Sequence, residues 1–505
     1  MSFKPLLALM AVLPLHAEVV LPPLFSDHAV LQAGDGTPVW GTARDGEHVT
    51  VTIGGVSAST VAADGRWLVR LPALKVSDTG QDLVVRGDNT VTVRDVLVGE
   101  VWLCSGQSNM ERELGPRDGQ PLITEWEKEA AAAQAPSIRF FTVKRTSPAI
   151  PIAVAEGTWQ VVTPATVAKC SAVGWFFARA LHEARREPVG LVVNAWGGST
   201  AEGWTSREAL SAVPSLMDIV TKADLQIANY PGALAKFKAE EATLMAQWTK
   251  DVAAAKAAGK KEPGKPRPPS DPLGGYLAPM TRFNGMLHPL LPLGLRGVIW
   301  YQGESNVSRH EQYRTLLPTM LDDWRTRWQR PDLPLLMVEL APYKGSKPDF
   351  REVQQRLARE IPGVGLVTTV DVGDSNDIHP PNKRPVGERL ALLARKQVYG
   401  EDVVASGPRF ANATFPAGKA VVTFTDLAGG LVASGGVLKG FTLAGADGKF
   451  MDATATIVGE TVEVTAPGVA APTAVRYAWA PAPVATLTSK AGLPAFPFRS
   501  DQPGL

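Results

Sequence analysis

Cysteine is nearly absent from this chain: Cys104 and Cys170 are the two among 505 residues. At most one disulfide can form, and a bridge and two separate buried thiols both fit the sequence. An excess of charge is missing too. Lys and Arg number 51 against 50 for Asp and Glu, with no run of like charge, which argues against nucleic acid or an anionic membrane as partner. No apolar run reaches the roughly 20 residues that cross a bilayer. The stretch from Pro5 to Leu15 in MSFKPLLALMAVLPLHA instead has the pattern of a secretory signal cleaved near Ala17. An exported protein, periplasmic or secreted, is expected. There is no His-Glu-x-x-His or other spaced set of His and acids, so no metal or cofactor is expected. There is also no Gly-x-Ser-x-Gly elbow, because in SGQSNM Met110 stands where the second Gly would be.

What is present is length enough for several domains. From Val19 to about Asp95, alternating stretches such as HVTVTIGG and RWLVRLP between turn residues predict an antiparallel β region, taken as 18–97 after a signal of 1–17. At VLVGEVWLCSGQSNM the pattern changes, and to about residue 400 apolar runs alternate with helical segments such as AVGWFFARALHEARRE. That alternation predicts an α/β core over 98–400, a parallel sheet covered by helices. Candidate strands are Glu100–Cys104, Ile138–Val143, Gly190–Ala195, Gly297–Tyr301, Leu335–Leu340 and Val364–Val370. Residues 206–275 exceed what one crossover needs, and read as a polar helical insertion ending in the Pro/Gly-rich KKEPGKPRPPSDPLGG. A second β region follows over 401–505.

Sites in open parallel sheets lie beyond the carboxyl ends of the strands, and four blocks stand there. In SGQSNM, Ser108 follows the first strand, where a serine can act as nucleophile if an imidazole takes its proton, although Ser and Asn there are also ordinary turn and cap residues. In NAWGGSTAEGW, Gly197 and Gly198 lack a Cβ, so a backbone N–H can approach a substrate oxygen. In WYQGESN, Gln302 and Glu304 are two apart and share a face in extended backbone. In DVGDSNDIHPPNK, His379 has Asp371, Asp374 and Asp377 before it, and a carboxylate could fix its tautomer. Of the seven histidines, His288 reads as packing, and the others fall in the signal, the first β region or on helices, leaving His379 as the base.

Together WLCSGQSNM, NAWGGSTAEGW, NGMLHPL, GVIWYQGESN and DIHPPNK resemble the sialate O-acetylesterase family, within the SGNH/GDSL hydrolases. The resemblance covers residues 98 to 395 with the blocks in order. It implies a flavodoxin-like three-layer α/β/α hydrolase core flanked by β domains, and removal of acetyl groups from sugars. It assigns Ser108 as nucleophile, His379 as base, and the N–H groups of Ser108 and Gly198 as oxyanion donors, with a side-chain amide as the third. Ser305 stands at the usual Asn position, so Gln302 is preferred for that amide and Asn306 is the runner-up. The usual Asp three before His is Asn376 here; Glu304 and Asp377 are both candidate triad acids, with Glu304 preferred.

Asn109, Trp196, Trp204, Tyr301 and Asn306 border the same cleft as candidate sugar contacts, since aromatic faces suit pyranose C–H faces. A sialic acid would also need a cation, for which Arg112, Arg117 and Arg282 are near the blocks. A neutral polysaccharide such as xyloglucan or xylan would use aromatic platforms. The alternatives are a noncatalytic carbohydrate-binding protein on a vestigial core, and a lipase or peptidase. The Lys- and Ala-rich insertion lacks the apolar lid of a lipase. The expected partner is an acetylated carbohydrate, with no obligate protein partner.

Overall fold

The computed structural model describes residues 18–34 and 36–501; the expected signal lies outside them. The apolar runs form the strands β1 (Thr90–Gly106), β2 (Ala135–Thr142), β3 (Trp159–Val162), β4 (Val189–Ala195), β5 (Gly297–Tyr301), β6 (Leu335–Val338) and β7 (Val364–Val367). Their order across the sheet is β7-β6-β5-β1-β4-β2-β3, parallel except for β3 on β2. Strands β4 to β7 are buried throughout, as both-sided cover requires. The short edge strand β3 was not legible in the sequence.

Besides the short helices Trp126–Ala132 and Arg207–Ala212, the helices are α1 (Ser108–Glu111), α2 (Ala172–Arg185), α3 (Met217–Ala257), α4 (His310–Trp328), α5 (Pro348–Glu360) and α6 (Arg384–Gln397). Helix α2 starts where Ser171 Oγ accepts the N–H of Gly174 at 3.1 Å and stops at Arg186, whose φ of 59° is left-handed. The layering follows from strand parity. Trp102 pairs with Gly297, so Trp300, three residues on, points to the other face. Trp102 meets Phe177 of α2, and Trp300 meets Trp324 of α4. Helix α6 packs beside α2, and α5 beside α4, giving three layers.

Strand β1 is 17 residues long and joins two sheets. Its first part pairs antiparallel with Ser77–Arg86, which continues to His48–Ile53 and Val56–Val61. Its second part enters the parallel sheet. The first β region departs from the antiparallel expectation at Val30–Gln32, which runs parallel to β1. One apolar cluster spans this region and the α/β core, so a division between residues 97 and 98 falls inside a continuous strand.

The C-terminal region has antiparallel sheets, one of Arg409–Thr414, Ala420–Thr425, Thr461–Thr465 and Thr454–Val458 and another built on Phe441–Ala444 and Ala474–Tyr477, around a second apolar cluster. Fully buried Arg351 of α5 ties it to the core by donating to the carbonyl of Ala480 at 2.9 Å, and Glu352 accepts from Arg499 at 2.6 Å. Cys104 and Cys170 are buried and free. No helix among the described residues is long and apolar enough to cross a membrane.

Candidate active site

Three of the four blocks are brought level by the register of the sheet. Gly106 at the end of β1 pairs with Ala195 on one side and Tyr301 on the other, so the segments after β1, β4 and β5 leave the sheet side by side. Gly106 has φ of 134°, and a Cβ there would stand 2.2 Å from the carbonyl oxygen of Tyr301. Only glycine turns the chain so close to a neighbouring strand. The next residues start α1, which carries Ser108. Gly197 crosses above it: a Cβ on Gly197 would lie 3.3 Å from that of Ser108 and 2.7 Å from Glu111 Oε2. The fourth block arrives from the loop between β7 and α6.

That loop places His379 Nε2 3.0 Å from Ser108 Oγ, across 271 positions of sequence. The His379 side chain is 20% exposed. Asp377 Oδ1 accepts the backbone N–H of His379 at 2.7 Å and lies 3.5 Å from its Nδ1. An acid two residues before the imidazole reaches it by folding back on the residue's own backbone. Asp371 is committed to Arg389, and Asp374 accepts the N–H groups of Asn376 and Asp377, shaping the turn.

Glu304 does not meet His379. Its Oε1 accepts from Asn109 Nδ2 at 2.6 Å, and its Oε2 is out of solvent reach with no hydrogen-bond partner. Burial pushes its pKa up, against the opposing pull of Asn109 and Lys383. The geometry thus reverses the order of preference between the two acids.

Asn109 is buried rather than facing a ligand. Its amide also donates to the carbonyl of Ile378 at 3.0 Å and its Oδ1 accepts from Lys383 Nζ. The residue after Ser108 is thereby tied to the residue before His379. Lys383, fully enclosed, has its pKa brought down to about 7 by burial. Burial and the Lys383 cation hold His379 below the ordinary imidazole range, while Asp377 pulls the other way.

Four further expectations are corrected. Gln302 is fully buried and its Nε2 donates to Asn306 Oδ1 at 2.7 Å and to the carbonyl of Ser199 and Gln107 Oε1 at 3.2 Å, so it is not aimed at an oxyanion. Asn306 is spent on Glu202 and the N–H of Ala201. Trp204 packs edge-on against Trp300 and donates to Ser199 Oγ, and Tyr301 lies within the sheet; both are fully buried. Trp204 closes the 3-10 turn Ala201–Trp204 and Tyr301 is the last residue of β5, and neither reaches solvent. Trp196 is half-buried, with the Arg282 guanidinium 4.3 Å above its ring. Among the described residues the N–H groups of Ser108 and Gly198 donate to no protein acceptor.

Of the candidate cations, Arg112 and Arg282 are buried. Arg112 donates to the carbonyls of Glu113, Gly115 and Pro121, and Arg282 donates to the carbonyl of Gly275. Arg117 is partly exposed, 3.5 Å from Glu111. The sequence reading missed Glu111, Lys383 and Arg145. Glu111 is buried, accepts the N–H of Gly197, and pairs with Arg145. Its position three residues after Ser108, on the same side of one helical turn, was the available signal; Lys383 lies four after His379.

Comparison with known proteins follows the same blocks. A family model described as carbohydrate esterase, sialic acid-specific acetylesterase, matches residues 98–256 and 276–395. The sialate O-acetylesterase of Rattus norvegicus is 28% identical over 418 residues, covering 74% of this chain and 72% of the relative. That of Homo sapiens is 26% identical over 416 residues, 74% and 70%. A crystal structure of a carbohydrate acetylesterase from Xanthomonas citri superposes with a TM-score of 0.78 at 35% identity, covering 96% of this chain and all of that one.

Proposed function

The chain belongs to the sialic acid-specific acetylesterase family of carbohydrate esterases, and on that premise we propose that it releases acetate from O-acetylated sugars through an acyl-enzyme on Ser108. The observation that carries this reading is the 3.0 Å approach of His379 Nε2 to Ser108 Oγ. Ser108 Oγ attacks the acetyl carbonyl as His379 takes its proton. The tetrahedral intermediate collapses, its C–O bond to the sugar breaks, and His379 returns the proton to the departing sugar oxygen. Water, deprotonated by His379, then attacks the acetyl-serine, the acyl bond to Ser108 Oγ breaks, and His379 returns the proton to Oγ as acetate leaves. The N–H groups of Ser108 and Gly198 receive the oxyanion, each contributing about 3 kcal/mol to the transition state. Asp377 orients the imidazole and stabilises it when charged. The enzyme is exported before it acts.

A fluorophosphonate probe tests the mechanism: mass spectrometry should find the adduct on Ser108. An unlabelled Ser108 in folded protein would favour a noncatalytic sugar-binding role instead. Acetate release from O-acetylated sialosides and from acetylated xylan and xyloglucan oligosaccharides decides the substrate. The partly exposed Arg117 and Arg145 favour an anionic sugar; their shared commitment to Glu111 favours a neutral one.

The acid limb of kcat/KM carries the signature of the base. His379 must be neutral to take a proton, and its pKa lies below the usual value. Half-maximal activity on the acid side is therefore expected below about pH 6.5. Lys383→Met removes a neighbouring cation and should move that limb to higher pH, towards the ordinary imidazole. A limb that stays in place would show that Lys383 does not act on His379.

A further inference from the structure

The insertion ends at the site. Helix α3 is 41 residues long, about 60 Å at 1.5 Å per residue, and its buried positions are confined to Ile219, Val220 and Ala223 at its start. The chain returns through the Pro-rich segment, where Trp248 Nε1 donates to the carbonyl of Pro263 at 3.0 Å. It is fastened again at Arg282, which lies over Trp196 and donates to the carbonyl of Gly275, and at Met280, whose N–H donates to the carbonyl of Glu202 at 2.8 Å. Between these fastenings stands Tyr276.

The Tyr276 ring covers Gly198: a Cβ on that glycine would come within 2.7 Å of Tyr276 Cδ2. The adjacent Gly197 stands above Ser108 by the same measure. Yet Tyr276 is 53% exposed, so its ring lies against Gly198 while about half of the residue stays in water. A large aromatic left half in solvent beside a reacting centre offers a flat apolar surface to the C–H face of a pyranose.

We infer that Tyr276, carried to the site by the long insertion, is the stacking platform for the sugar whose ester is cleaved. The inference deepens the function proposed above and rests on it, and two separate readouts keep the two apart. In the first, glucose pentaacetate and acetylated xyloglucan oligosaccharides are compared with 4-nitrophenyl acetate, which has no sugar ring. Tyr276→Ala should raise KM on the sugars about fivefold to tenfold more than on the aryl ester, and Tyr276→Trp should restore most of it. Equal effects on both substrates, or a fall in kcat at constant KM, would overturn the platform role and leave Tyr276 as a cover for Gly198.

In the second readout, Ser108→Ala protein is titrated calorimetrically with the same oligosaccharides, so that binding is measured without turnover. A fivefold loss of affinity on adding Tyr276→Ala supports the inference even if the wild type were to release no acetate. Unchanged affinity overturns it even if the esterase mechanism stands.

Discussion

Ser108→Ala should abolish acetate release while leaving the fold intact. The Ser108 hydroxyl makes one protein contact of note, the 3.0 Å approach to His379 Nε2, so its removal leaves no buried polar group stranded. The expected loss in kcat is roughly 10⁴-fold or more, because without the nucleophile only the oxyanion donors and substrate binding remain to assist water. His379→Ala should cost a similar factor, and the double variant little beyond either single one, since two residues that act in one proton transfer do not contribute independently. Steady-state acetate release together with a thermal melt checks this: kcat should collapse with Tm within about 2 °C of the wild type. Ser108→Ala protein retaining a tenth of the activity would end the acyl-enzyme reading.

The fold was legible because its strands are buried on both faces. Runs such as GVIWY and LLMV have no polar alternation to confuse with a surface strand, and Gly106, Gly197 and Gly303 mark where three of the chain's strands leave the sheet. The positions of Ser108, Gly197, Gly198 and His379 follow from strand ends alone, since parallel strands deliver their ends to one edge. What failed was side-chain direction within each block. Tyr301 and Gln302 sit two and one positions before Gly303, and whether a residue at a strand's end faces cleft or helix layer follows a parity that the sequence does not mark. Long-range charge partners were equally hidden: Glu111 is matched by Arg145, and Asn109 by Lys383, through pairings that local spacing cannot show. Tyr276 escaped notice because it follows a Pro/Gly-rich segment that signals only the absence of regular structure.

Separating Asp377 from Glu304 is the sharper experiment, because the two carboxylates should fail differently. Asp377→Asn removes a charge 3.5 Å from His379 Nδ1 without removing bulk. The imidazolium formed in the transition state then loses its counter-charge, and kcat should fall about 10² to 10³-fold. This is less than for a fully buried triad acid, because the Asp377 side chain is 38% exposed and water screens it. Asp377 raises the His379 pKa in the wild type, so in the variant the acid limb of kcat/KM should move to lower pH as the rate drops.

Glu304→Gln, by contrast, keeps an oxygen to accept from Asn109 and should cost less than about tenfold in rate. Glu304→Ala takes one of two acceptors from the Asn109 amide and removes the carboxylate charge that acts on the enclosed Lys383, with an expected loss of about 2 to 3 kcal/mol in stability. Its effect on kcat should arise through displacement of Ile378 and His379, since the Asn109 amide that holds the Ile378 carbonyl has lost its second anchor. The deciding comparison is the rate lost per degree of Tm. Asp377→Asn should lose rate with little change in Tm, and Glu304→Ala should lose both. A Glu304→Gln enzyme that is stable yet slowed a thousandfold would return the triad role to Glu304, and would require the carboxylate to swing from Asn109 to His379 when substrate binds.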